Sequence, residues 1–419
     1  MTGAPKPPAE EPPGDTGEDD APAPASRSRT ALMAALAFGL GVLVAVVLGL
    51  RNTGDDAPGT QRRTATGATA APAGPPSGED PALLASRLTG PDLVAQLFLV
   101  GVRGQDADAA VKRRLRSRLW GGVALGRANF ASPRQLAALT AEIDRNIRVA
   151  GPVGPLIAAR QLGGEGSAFA GLPPAAPIAQ AAAGRPAVAR AQARRAGRAL
   201  RAAGVNTTLA PNADVATAGG PSDERSFGED PRRVAAFVTA ALQGYREAGT
   251  VAVAGPFPGA GAASQDPALG PASVGLSLLE LRARDLVPFV AAARVAPAIQ
   301  MSNAVYAAYD GATPAALLPA IAGGLLRREL RFGGVIVTDD LVATAEIAGL
   351  GPGRAALAAL HAGADLLYVP GGPREQEAAY AAVLRAYQQG RLATARLRAS
   401  ATRVLALKRA YRLVGPPRP

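Results

Sequence analysis

The stretch from Arg331 to Leu341, RFGGVIVTDDL, decides the fold. Gly333 and Gly334 allow a tight turn into it. Val335, Ile336 and Val337 then make a β-branched run that reads as a buried parallel strand. The run ends on Thr338, Asp339 and Asp340. Two carboxylates at the C-terminal end of a buried strand are costly to desolvate unless they are solvated, paired or used. In a β/α barrel that end is where chemistry sits. Asp is also a favoured helix N-cap. The local pattern therefore leaves capping and chemistry both open, and the two acids can divide the roles.

Working outward, the same texture recurs. Apolar strand candidates are Val94–Val102, Gly122–Leu125, Pro155–Ala159, Asn206–Ala210, Thr250–Ala254, Pro297–Met301, Val335–Thr338 and Asp365–Val369. Ala/Leu/Arg-rich helical stretches separate them, among them Pro186–Ala203, Pro231–Ala248, Pro314–Leu330 and Arg354–His361. Eight such alternations predict an α/β fold, a single-domain (β/α)8 TIM barrel over residues 81–413, in preference to an open doubly wound sheet. Gly163-Gly164-Glu165-Gly166 lacks the spacing of a dinucleotide loop and the Lys-Ser/Thr of a phosphate loop.

The flanks differ. Residues 1–30 begin with a Pro-, Ala- and acid-rich stretch that cannot bury a core and reads as a disordered cytoplasmic tail. Residues 31–50, ALMAALAFGLGVLVAVVLGL, form an uncharged apolar run of about the length a bilayer span needs. It is longer than the apolar core of a cleaved signal, and the reading is a transmembrane signal anchor. Residues 51–80 are a Thr/Ala/Gly/Pro-rich tether, and 414–419 a short tail. This arrangement predicts a single-pass membrane protein with an extracytoplasmic barrel.

The 419 residues carry a net charge of +12, yet no Lys/Arg run is long and aromatics make up only 4%, so nucleic-acid binding is disfavoured. Cys is absent and there is one histidine, His361, so no thiolate or His-rich metal site is available and no metal or cofactor is expected. His361 precedes the last strand, which places it at the non-catalytic end of a barrel. Trp120, Tyr306 and Tyr309 read as core or rim aromatics more readily than as sugar platforms.

Several motifs in order carry a resemblance: GGVALGRANFASPRQLAALTAEI (121–143), LAPNADV (209–215), DERSFGEDPRRVAAFVTAALQGYREAG (223–249), FPGAG (257–261), MSNAVYAAYDGATPAALLPAIAGGLLRREL (301–330), GGVIVTDDL (333–341) and AGADLLYVP (362–370). The chain resembles the family 3 glycoside hydrolases, in particular their bacterial β-N-acetylhexosaminidase branch. That resemblance implies a barrel that hydrolyses β-linked N-acetylglucosamine in cell-wall fragments with retention. It implies Asp339 as nucleophile, Arg225 on sugar hydroxyls, and Asp214 as a sugar or structural contact. Asn303, in a matching stretch, and Glu165, in an aligned segment that departs from the pattern, are further substrate-binding candidates. Asp340 is left as a cap or orienting residue.

Other positions depart from the family pattern. The family's D-Q-E-G-G-R aligns with Arg160 to Glu165, so its sugar-binding Asp is Arg160 here and its Arg is Glu165. Its Lys-His aligns with Gly255 and Pro256, and its Asp-x-His acid/base segment with Asp266-Pro267-Ala268. Asp266 is thus a remnant without its histidine. Losing a general acid lowers a rate by about 10²–10⁴-fold. Two readings follow: a membrane-anchored glycosidase with impaired catalysis, or a non-catalytic pseudoenzyme that binds glycan or protein outside the membrane. The expected partner is an amino-sugar glycan of the peptidoglycan type; a protein partner is left open.

Overall fold

The computed structural model describes residues 79–415. The predicted tail, the apolar run 31–50, all but the end of the tether, and positions 416–419 lie outside the described residues. Among the described residues no helix is long and apolar enough to cross a membrane.

The strands are β1 (Phe98–Gly101), β2 (Gly122–Leu125), β3 (Leu156–Ala159), β4 (Thr207–Thr208), β5 (Val251–Phe257), β6 (Ser273–Val274), β7 (Ala298–Met301), β8 (Val305–Tyr306), β9 (Val335–Val337) and β10 (Leu367–Val369). Eight of them form one parallel sheet in the order β10-β1-β2-β3-β4-β5-β7-β9, while β6 and β8 pair as a separate ribbon. The sheet's two ends meet. A parallel bridge joins Val337 to Leu366, Thr338 N donates to Leu366 O at 3.0 Å, and Asp365 N donates to Ile336 O at 2.8 Å. The result is an eight-stranded parallel α/β barrel of the TIM type.

Alternation along the strands sorts side chains into two layers. Leu99, Leu156, Ala158, Val251, Val253, Ala298, Val335, Val337 and Leu366 share the small interior cluster. Their neighbours in sequence, among them Phe98, Val100, Ile157, Ala252, Ile299 and Ile336, belong to the larger core under the outer helices. The last helix, Thr394–Ala410, inserts Val404 and Leu407 into the interior cluster, followed by Tyr411 and Leu413. It therefore plugs one end of the barrel, and the C-terminal ends of the strands form the open one. Proline at the first turn starts most outer helices, including Pro186–Ala202, Pro231–Glu247, Pro352–Ala362 and Pro373–Gln388, where its missing N–H leaves no bond unmade.

Two predicted elements are corrected. The strand expected at Val94–Val102 begins only at Phe98, because Thr89 caps a helix, Gly90–Ala95, that takes its first residues. The helix expected at Pro314–Leu330 is a 3₁₀ turn, Ala315–Leu317, followed by a widely wound segment, Ala320–Glu329, with Leu330 N bonded to Leu325 O. Gly323 and Gly324 sit inside that segment, where α-helical preference is weakest.

Candidate active site

Asp339 directly follows Thr338 at the end of β9. Val335 and Val337 face the interior, so the period of two turns Asp339 over the barrel mouth. Thr338 ties the strand down: it is buried, and its Oγ1 accepts from Tyr368 N at 2.9 Å. Asp339 Oδ1 accepts from Gln300 Nε2 at 3.0 Å and from Asp340 N at 2.9 Å. Its Oδ2 takes no hydrogen bond among the described residues. One oxygen is thus fixed and the other left open toward the mouth. Burial raises the carboxyl above its ordinary range; the Arg160 charge and the Asp340 N–H oppose that rise, while the charges of Asp340 and Asp266 add to it.

Asp340 has the other role. Its Oδ1 accepts from Val342 N at 2.8 Å and Ala343 N at 3.2 Å, capping the helix Leu341–Ile347. Burial raises its pKa as well, against those two N–H groups. Asn303, proposed above as a sugar contact, serves this cap. Its Oδ1 accepts from Thr344 Oγ1, and its Nδ2 lies 3.5 Å from Asp340 O.

Asp214 is almost fully buried and faces protein, not the opening. Oδ2 accepts from Ser222 Oγ at 2.7 Å and Oδ1 from Ala260 N at 2.6 Å, which welds the loop after β4 to the loop after β5. Desolvation raises its pKa against those hydrogen bonds. The glycines of FPGAG belong to the same weld. A Cβ on Gly261 would meet Val215 O at 1.9 Å, and Gly259 has φ of 116° with Asp285 Cβ 2.8 Å from its missing Cβ. Asp285 is buried beside Arg284, whose guanidinium bonds it at 3.1 Å and also holds Val215 O and Ala216 O. Burial, with the nearby Asp214 charge, lifts Asp285 to about 6 against Arg284.

Arg225, Asp266 and Glu165 meet in a cleft of about 970 Å³ beside the mouth, together with Arg127, Phe130 and Leu269. Arg225 Nη1 pairs with Asp266 Oδ2 at 2.8 Å, and Asp266 Oδ1 accepts from Ala268 N at 3.0 Å. Both oxygens of the only carboxylate left in the acid/base segment are engaged. Asp339 is not part of the cleft wall. Among the described residues no group of three or more His, Asp or Glu side chains is gathered to hold a metal.

Some mouth residues escaped the sequence reading. Gln300 on β7 is two residues beyond inward-facing Ala298, and simple alternation would have found it. Tyr368 on β10 packs on the interior cluster, and its phenol is pushed up chiefly by burial, with the Asp340 and Asp339 charges adding and Arg160 opposing. Tyr306 is buried and donates to Gly259 O at 2.8 Å. Trp120 packs edge-to-face with Phe98 and Tyr380, with Nε1 donating to Arg114 O at 3.1 Å. Both are packing residues. His361 is exposed near the end of Pro352–Ala362, its Nδ1 2.8 Å from Leu357 O.

The chain matches the model of the glycosyl hydrolase family 3 N terminal domain over residues 92–407. It is 35% identical over 283 residues to the β-hexosaminidase of Stenotrophomonas maltophilia strain K279a, covering 65% of this chain and 83% of that one. Among solved structures, it is similar to a family 3 β-N-acetylglucosaminidase from Paenibacillus (TM-score 0.74, 32% identity, 79% of this chain and 64% of that one). It thus spans less than two thirds of that enzyme's length. It is also similar to β-N-acetylhexosaminidase from Beutenbergia cavernae (TM-score 0.70, 29% identity, 77% of this chain and 98% of that one).

Proposed function

The chain belongs to glycosyl hydrolase family 3, and on that premise we propose that it acts on β-linked N-acetylamino sugars of cell-wall glycans as a retaining glycosidase weakened at the proton-donating step. The observation that carries this reading is Asp339, with Oδ1 fixed by Gln300 and Asp340 N–H and Oδ2 open. A carboxylate so held can attack the anomeric carbon while the aglycone oxygen leaves, giving a glycosyl-enzyme that water later hydrolyses. The leaving oxygen needs a proton. Asp266, which remains of the acid/base segment, has both oxygens engaged by Arg225 and Ala268. Gly255 and Pro256 offer no side-chain donor to sugar hydroxyls.

An activated aryl β-N-acetylglucosaminide leaves without a proton and separates the two steps. Wild type should release the aryl alcohol measurably, Asp339→Asn should not, and natural disaccharides should turn over about 10²–10⁴-fold more slowly than expected of a complete acid/base pair. Equal inertness of wild type and Asp339→Asn on the aryl substrate would refute the enzymatic reading. The second reading, a non-catalytic glycan- or protein-binding role, draws on the same ion pair at Asp266 and would be favoured by that outcome. Residues 31–50 complete the proposal as a membrane anchor with the barrel outside the cytoplasm. Extraction of the full-length chain by alkaline carbonate would refute the anchoring.

A further inference from the structure

Arg160 directly follows β3. Leu156 and Ala158 face the barrel interior, so alternation carries the Arg160 side chain over the same mouth as Asp339. It is only partly exposed. Its charge is felt by both Asp339 and Tyr368 across that mouth. Yet no carboxylate lies within ion-pair distance of it, and no hydrogen bond engages its side chain among the described residues. Other partly buried arginines behave differently. Arg148 reaches Asp144, Arg225 reaches Asp266, Arg284 reaches Asp285, and Arg327 reaches Asp365.

A guanidinium carries five N–H donors in a fixed fork and cannot shed its charge. Holding such a group half-desolvated without an acceptor is unfavourable, and a ligand that brings an anionic oxygen pair removes the penalty. A neutral sugar offers hydroxyls that water can replace; a carboxylate or phosphate offers a matched fork. Two strands away on β5, Gly255 and Pro256 present no side-chain donor to compete.

We propose that Arg160 selects an amino sugar bearing an anionic substituent, a carboxylate or a phosphate, in the barrel mouth. The inference rests on the reading of that mouth as an amino-sugar site. Its test is binding, not turnover. Full-length Asp339→Asn protein is titrated calorimetrically with N-acetylglucosamine, N-acetylmuramic acid and N-acetylglucosamine 6-phosphate. The neutral sugar is the reference, and the other two separate a carboxylate at one ring position from a phosphate at another. At least one anionic sugar should bind at least tenfold more tightly than the neutral one, and adding Arg160→Gln should erase the difference while leaving the melting temperature unchanged. Equal binding of neutral and anionic sugars, or a preference that survives Arg160→Gln, overturns this inference and leaves the amino-sugar reading standing. Failure of all three sugars to bind overturns both.

Discussion

Lys408 gives the sharpest physical test of the barrel. It lies on the closing helix with no solvent exposure, and its ammonium donates once, to Gln96 Oε1 at 2.9 Å. Gln96 is held in turn by Nε2 on Leu119 O at 2.6 Å. Burial is the main cause that lowers the lysine to about 7 from 10.5; Arg148 nearby adds to the fall and Asp144 opposes it. Between about pH 7 and 10.5 the unfolded chain therefore binds a proton that the folded chain has released, so stability rises with pH across that window. For one such group the gain from pH 7 to pH 9 is roughly 2 kcal/mol, or about 3 °C in melting temperature for a domain of this size. The chain has one histidine and no cysteine, and the raised carboxyls of Asp214 and Asp339 work against the lysine slope, so the difference between wild type and a Lys408 variant isolates the lysine. The buried tyrosines Tyr245, Tyr306, Tyr368 and Tyr411 are shifted upward, so they reverse the trend only as pH nears the ordinary tyrosine value. Thermal unfolding at fixed ionic strength from pH 7 to 9 measures the slope, and Lys408→Met should flatten it. A Lys408→Met profile that runs parallel to the wild type from pH 7 to 9 would refute the argument.

The remaining expectations concern the barrel's closure and its mouth. Asp365, unexposed, is reached by Arg327 at 2.6 Å, Arg403 at 3.0 Å and Ser400 at 2.6 Å; Asp365→Asn leaves those cations without their common anion. The loss should be about 3 kcal/mol in urea unfolding, the low end for a broken buried pair because the arginines keep part of themselves in water. Gly261→Ala would place a Cβ 1.9 Å from Val215 O, which is backbone and cannot rotate away; at least about 2 kcal/mol should be lost. Gln300→Leu removes the only side-chain donor on Asp339 among the described residues, so the carboxyl should rise further. The acid limb of the aryl-glycoside pH–rate profile should then move to higher pH, and an unmoved limb would separate Gln300 from the reacting carboxylate.

The barrel was legible because its cause is local and repeated. β-Branched runs such as Val335–Val337 announced strands, and Asp340 announced a cap. Strand ends were harder to read, as Val94 and Ala95 show: they are apolar enough for a strand, yet Thr89 and Pro91 start a helix there. The wide winding at Ala320–Glu329 has no periodic signature that distinguishes it from an α-helix. At the site, motif position singled out Asp339, Asp214 and Asn303 alike and could not tell a residue at the mouth from one that fastens a loop. Asp214 and Asn303 share chemistry with ligand-binding residues, and only their hydrogen-bond partners, Ala260, Ser222 and Thr344, reveal them as loop and helix fasteners. Arg225 and Asp266, forty-one positions apart, meet through folding alone.

The contrast between the two neighbouring acids bears on what the mouth is for. Asp340 satisfies the helix it starts, and Thr338 already fastens β9 to β10 through Tyr368 N. Neither task needs Asp339. A residue of similar shape without charge, such as Asn, would still accept from Gln300, through a weaker neutral hydrogen bond, and would avoid the desolvation that raises the Asp339 carboxyl. The fold thus carries a half-buried carboxyl that neither caps a helix nor fastens β9 to β10, with one oxygen held and the other open. Burial strong enough to shift a carboxyl, in a cavity mouth and with no structural duty, is the pattern expected of a group kept for a ligand. Arg160 completes it from the opposite strand end: its charge offsets part of the Asp339 desolvation without closing into an ion pair, so both groups remain available to whatever enters between them.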